Sequence, residues 1–184
     1  MAKADPKTIE ELLYWSYSCL AMAHSAVEKN QEKYLRVNYV IRARLYKGLM
    51  DGSMNIGTIF QDEKIKIIAG STCSYCGAPG PLALDHLVPR SAGGQDSGDN
   101  LILACKPCNS SKGRRDLLEW MHTKGKFPPL LLLRRFLKLA IDWSLEHNIM
   151  SIKLQDVNGL DLPFKPEFIP IRYPPPSDLR LVSK

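Results

Sequence analysis

The chain has 184 residues, 45% of them hydrophobic and 24% charged, a composition that excludes disordered and fibrous classes and fits a single globular domain or a small core with elaborations. Its net charge of +6 makes a polyanion a plausible partner and an acidic binding surface an implausible one, although charge alone does not separate a nucleic-acid binder from a mildly basic protein without such a partner. No apolar run is long enough to span a bilayer, and Asp5, Glu10 and Glu11 ahead of the apolar stretch 12–23 fit no secretory leader, so the expectation is a cytoplasmic protein with no membrane partner and reduced thiols.

Apolar residues at Ile9, Leu12, Leu13, Tyr17, Leu20 and Ala21 recur near a 3.6-residue period and predict a helix over 7–27. A second helical stretch, 31–50, ends at the stop signal Asp51-Gly52; it is either separate from the first or one long helix broken near Asn30. Residues 58–69 fit a short third helix ending at Gly70. Leu82 to His86 and residues 100–104 read as short strands, and the Gly-, Ser- and Asp-rich stretch 91–99 as the loop between them. Pro107 suits the first turn of a helix running to about Thr123, stopped by Gly125 and Pro128. Leu130, Leu133, Leu137, Ile141 and Leu145 form the apolar stripe of a helix over 130–147, and a proline-rich tail, 162–176, follows without a predicted packing partner. The helices of 7–50 and 130–147 offer dimer surfaces, though their stripes are equally explained by core packing. The expected domain organisation is a helical region 1–69, a small central core 70–125, and a C-terminal helix with its tail, 126–184.

The chemistry concentrates in the central core. Cys73-x-x-Cys76 and Cys105-x-x-Cys108 are two pairs at knuckle spacing, each placing two thiolates on one tight turn, and together they complete a tetrahedral zinc site. A closed four-cysteine site has no open position for chemistry, so the expected Zn2+ is structural and staples a segment with little core of its own. Cys19 lies in an apolar helical stretch and reads as a core residue. His24, His122 and His147 lack ligand-spaced partners.

The string Asp85-His86-x-x-Pro89, Gly93-Gly94, Asn100-Leu101, Cys105-x-x-Cys108-Asn109-x-x-Lys112-Gly113 resembles the zinc-knuckle HNH endonucleases over about residues 70–120. The resemblance implies an α+β, mostly helical protein in which a ββα-metal core with structural zinc is flanked by N- and C-terminal helices. It implies that His86 is the general base, that Asp85 and Asn109 bind the catalytic divalent ion, and that Asn100 orders the loop and helps orient the histidine. Asn109 stands where the founding pattern has histidine; an amide oxygen is a harder ligand than imidazole and favours Mg2+ or Mn2+. The chemistry is self-consistent, because phosphodiester hydrolysis needs a base for water and a cation for the developing charge. Taken singly, Asp85 and His86 also fit a strand-end cap beside a histidine, Asn100 a turn residue, and Asn109 a helix cap.

Lys106, Lys112, Arg114 and Arg115, followed by Lys124, Lys126, Arg134, Arg135 and Lys138, form a basic run. It is either a solvated face or a phosphate-binding surface, with Lys112 and Arg114 the strongest individual candidates. Lys33, Arg36, Arg42, Arg44 and Lys47 offer a second such surface. The expected function is metal-dependent cleavage of double-stranded DNA, in restriction or phage defence. The alternatives are a non-catalytic zinc module that binds nucleic acid or protein, and a nuclease subunit of a larger defence complex.

Overall fold

The computed structural model describes residues 5–56 and 71–182, so the short helix expected over 58–69 lies outside the described residues. The first predicted helix is α1, Ile9–Glu28. Thr8 caps it by accepting from the Glu11 amide, and Glu10 and Glu11 sit in the first turn, where the helix dipole favours negative charge. The chain then turns through Asn30 in the left-handed region, φ 51°, so the helical stretch 7–50 is two helices rather than one. The second, α2, spans Arg36–Met50, five residues shorter at its start than predicted; the Asn38 side chain returns to accept from the Leu35 amide (2.7 Å). It lies against α1, where Trp15 meets Tyr46 edge to face at 5.3 Å and the Arg42 guanidinium covers the Trp15 ring.

Strands β1, Leu82–His86, and β2, Leu101–Cys105, pair antiparallel, with Leu82 opposite Cys105 and His86 opposite Leu101. Helix α3, Lys106–Lys112, follows directly, with Pro107 in its first turn as expected. The helix predicted to continue to Thr123 is instead two. Gly113, at φ 55°, ends α3, and Asp116 starts α4, Leu117–Thr123, by accepting from the Leu118 and Glu119 amides (2.8 and 2.9 Å). The signal for this break was present: a glycine followed by a cap-competent aspartate three residues on. Asp116→Ala is expected to lower stability by about 1 kcal/mol, read as a fall in melting temperature.

Helix α5, Leu130–Glu146, buries Leu130, Leu133, Phe136, Leu137 and Ile141, but Leu145, expected on the same stripe, is exposed in its last turn, beyond the packed face. The chain on either side of the proline-rich tail completes helix ends. The Leu130 and Leu131 amides donate to the Arg180 and Leu181 carbonyls, and the Ile9 and Glu10 amides donate to Ile152 and Met150. Tail and α1 are joined where Trp15 Nε1 donates to the Ile171 carbonyl (2.9 Å) and the Tyr173 hydroxyl to the Ser16 carbonyl (3.0 Å). One hydrophobic cluster therefore draws on α1, β2, α4, α5 and the tail residues Phe164 and Ile169. Among the described residues no helix is long and apolar enough to cross a membrane. Cys19 is buried in α1, and burial pushes its thiol up to about 11 although Arg42 opposes the shift, as suits a core cysteine.

Candidate functional site

The first knuckle is a tight turn. The Gly77 amide donates to the Cys73 carbonyl (2.8 Å), the Cys73 amide to Ala78 (2.9 Å), and Gly77 takes φ 77°, a conformation that costs glycine nothing. The Ser74 amide donates to the Leu103 carbonyl, docking this turn on β2. The second knuckle is the junction of β2 and α3. All four Sγ atoms lie within 4.8 Å of one another, and Cys76 and Cys105 are 3.8 Å apart. Tetrahedral zinc with Zn–S bonds of about 2.3 Å needs sulfur separations of about 3.8 Å, so the donor set and its spacing fit. Burial raises the Cys76 and Cys108 thiols; it also works to raise Cys73, but amide hydrogen bonds from its neighbours outweigh it and bring Cys73 down to about 7. Thiols this close suppress one another's ionisation, and a central dication removes that penalty.

Asp85 and His86 end β1, and the residues after them are held by Asn100. Its Oδ1 accepts from the Val88 amide (2.8 Å), its Nδ2 donates to the Val88 and Gln95 carbonyls (both 2.9 Å), and its own carbonyl accepts from Leu87. With 1% exposure, this side chain ties the turn behind His86 to the loop that returns to β2. Gly94 lies so close to this staple that a Cβ there would meet the Val88 carbonyl oxygen at 1.9 Å.

Asp85 is nearly buried, and both its oxygens are engaged: Oδ1 accepts from the His86 amide (2.9 Å) and Oδ2 from the Tyr75 hydroxyl (2.7 Å). The His86 ring is partly exposed, with Nε2 2.5 Å from Asp96 Oδ1. An ionised carboxylate only accepts, so Nε2 is the donor of this pair, which in a neutral ring leaves the lone pair on Nδ1. The His86 hydrogen bond, with Arg90 nearby, holds the Asp96 carboxyl below its usual range.

A cleft of about 330 Å3 gathers Asp85, His86, Arg90, Lys112 and Arg114. Arg114 is exposed at its rim. Lys112 is not on a solvated helix face: it is 1% exposed, with Nζ donating to the His86 carbonyl (2.6 Å) and lying 3.7 Å from Asp85 Oδ2. Burial lowers its pKa, and Asp85 partly restores it. Asn109 is half-buried one turn before Lys112, on the same side of α3. Arg115 is exposed but turns its guanidinium back onto the Ser111 and Lys112 carbonyls, while Lys106 is exposed at the start of α3 and does not line the cleft.

Three further residues bear on this site. Asp96 lies in a stretch that looked like generic loop; Tyr75 fills a spacer position between two cysteines; Arg135 sits in a basic run. Arg135 is buried, and from α5 it donates to the Asp99 (3.1 Å) and Gly98 carbonyls next to Asn100. Replacing it with Met is expected to cost roughly 3 kcal/mol, read by denaturant unfolding, because two charge-assisted bonds are lost. His24 pairs with Glu28, His122 packs on Phe168 and His147 stacks on Trp143; among the described residues none of them joins a metal-ligating group.

Residues 73–115 match the family model for HNH endonuclease. The chain is 38% identical over 52 residues to the CRISPR-associated endonuclease Cas9 of Corynebacterium diphtheriae, a match covering 26% of this chain and 5% of that much longer protein. No solved structure matches. The family match runs from the first cysteine of the four-cysteine cluster to the arginine that folds back onto α3, and it encloses Asp85, His86, Asn100 and Asn109: residues 73–115 are an HNH endonuclease domain.

Proposed function

We propose that the chain is a metal-dependent endonuclease that hydrolyses phosphodiester bonds in double-stranded DNA, with His86 as general base. The observation that carries this reading is the convergence of Asp85, His86, Lys112 and Arg114 on one cleft inside the family-matching segment. In this reading β1, β2 and α3 are a ββα-metal core, and the four cysteines hold a structural zinc.

The donor set suits Mg2+ or Mn2+. Each Asp85 oxygen accepts one hydrogen bond, and a carboxylate oxygen has a further lone pair to offer; the Asn109 amide is the second oxygen donor. Bound there, the ion would stabilise charge on the phosphate and on the departing oxygen. The remaining work falls to the chain's own groups. His86 Nδ1 takes the proton of the attacking water, and Asp96 holds the ring by its other nitrogen. Asn100 fixes the turn behind the histidine. Arg114 at the rim binds a phosphate in the cleft, Lys106 meets the strand outside it, Arg115 joins them by releasing the Ser111 and Lys112 carbonyls, and Lys112 adds positive charge from beneath.

Incubating the pure protein with supercoiled plasmid tests the proposal. Conversion to nicked circles is expected with Mg2+ or Mn2+ and none in EDTA, since one site of this kind cuts one strand. An equal rate in EDTA, or an untouched plasmid at every ion concentration, would overturn it. Asp96→Ala is expected to reduce the single-turnover rate about tenfold while DNA affinity stays within twofold, because the ring loses its orienting partner.

A further inference from the structure

Tyr75 occupies a position that sequence spacing treats as filler, between Cys73 and Cys76, yet its side chain is among the largest fully buried ones of the described residues. The ring is 2% exposed and packs edge to face on Trp120, with centroids 4.9 Å apart. Trp120 is itself fixed to α3 through its Nε1, which donates to Ser111 Oγ (3.1 Å). The backbone beneath the ring is pinned by the knuckle hydrogen bonds and by the bond from Ser74 to β2. A phenylalanine would fill the same space, so packing does not explain the hydroxyl. A buried hydroxyl costs free energy unless it is bonded, and this one spends its proton on Asp85 Oδ2 at 2.7 Å.

The geometry at Asp85 gives that bond its consequence. One oxygen is held by the His86 amide and the other by Tyr75, so rotation of the carboxylate is fixed at both ends. Lys112 Nζ stands 3.7 Å from the oxygen that Tyr75 holds. A neutral phenol adds no charge of its own at that oxygen, whereas a Lys112 ammonium closer than this 3.7 Å ion pair would offset more of the carboxylate charge. Without the hydroxyl, the carboxylate is free to swing onto Lys112.

We propose that Tyr75 is a positioning residue: carried on the first cysteine knuckle, it aims the Asp85 carboxylate at the divalent ion and couples the cysteine centre to the active cleft. The proposal rests on Asp85 being a ligand of that ion, as set out under Proposed function. Partners that orient metal ligands typically change metal affinity by about 10–100-fold when removed.

The test is Mn2+ binding to the zinc-loaded full chain without DNA, followed by the electron paramagnetic resonance of free Mn2+, for wild type, Tyr75→Phe and Asp85→Asn. Tyr75→Phe is expected to weaken binding about 10–100-fold while zinc content is unchanged, and its plasmid nicking should recover at high Mn2+. A merely structural role would lower nicking at every ion concentration. Loss of binding in Asp85→Asn with wild-type affinity in Tyr75→Phe would overturn the proposal alone. Wild-type affinity in Asp85→Asn would overturn the assignment of Asp85 and the proposal with it. Should Tyr75→Phe fail to retain zinc, the wild type still decides. Mg2+ drains acceptor strength from Asp85, so a tyrosine ultraviolet difference signal is expected in wild type and not in Asp85→Asn. A wild type that binds Mn2+ but shows no such signal on adding Mg2+ would overturn the coupling.

Discussion

His86→Ala is expected to slow single-turnover DNA cleavage by about 10^2–10^4-fold, the usual contribution of a positioned general base. DNA affinity, measured by fluorescence anisotropy in Ca2+ or without a divalent ion, should stay within about twofold, because phosphate contacts and not the imidazole supply most of that affinity. The fold should survive as well. The His86 ring is partly exposed and its side-chain partner is the loop residue Asp96, whereas the contacts that organise the turn are backbone ones. The His86 amide donates to Asp85 and the His86 carbonyl accepts from Lys112, and an alanine keeps both. The comparison with Asp96→Ala adds a gradient: removing the base should cost far more than removing the group that orients it. A His86→Ala protein that cleaves at the wild-type rate would show that the water is activated elsewhere.

Removal of the zinc proposed for the cysteine centre is expected to cost more than any single side chain outside it. The sheet has two strands of five residues each, and a two-stranded sheet is at best marginally stable alone. Its local core is small: Tyr75, Leu87, Val88, Ile102 and Ala104. Binding of structural zinc contributes on the order of 10 kcal/mol in small zinc domains, and here it would join the turn before β1 to the end of β2. Chelation, or Cys105→Ser, is therefore expected to abolish nicking with His86 untouched. Hydrogen exchange across Leu82–His86 and Leu101–Cys105 should accelerate, while α1 and α5, packed against each other, keep much of their protection. An unchanged melting temperature after complete loss of metal would show that the helical body alone holds the strands in place.

The elements legible in the sequence were those whose signals lie within a few residues of one another. The span of β1 is the predicted one, β2 is shifted by a single residue, and α1 and α5 differ from expectation by one or two residues at their ends. The two cysteine pairs were legible because each knuckle is a local turn; that all four sulfurs meet followed from their chemistry and is what the structure displays. Gly113 and Asp116 announce the break within 107–123, but Leu117, Leu118, Trp120 and Met121 beyond it are as compatible with one continued helix as with a second one, so local pattern does not place the break. Proline-rich composition says that a segment is irregular, not what it covers, so the packing of the tail on α1 and α5 was not legible.

The sequence by itself determined the types and order of Cys73, Cys76, Asp85, His86, Asn100, Cys105, Cys108 and Asn109, all of which lie inside the segment that matches the family model. Tertiary structure decided how these residues are held. It buried Lys112 and Arg135, two cations that composition assigns to solvent, and gave both of them backbone carbonyls as partners. It brought Asp96 to His86 and Tyr75 to Asp85, each across ten residues of chain. The physical reason is range. Periodicity and knuckle spacing are written in neighbours, whereas the cost of burying a charge or a hydroxyl is met by groups that only the folded chain brings within 3 Å.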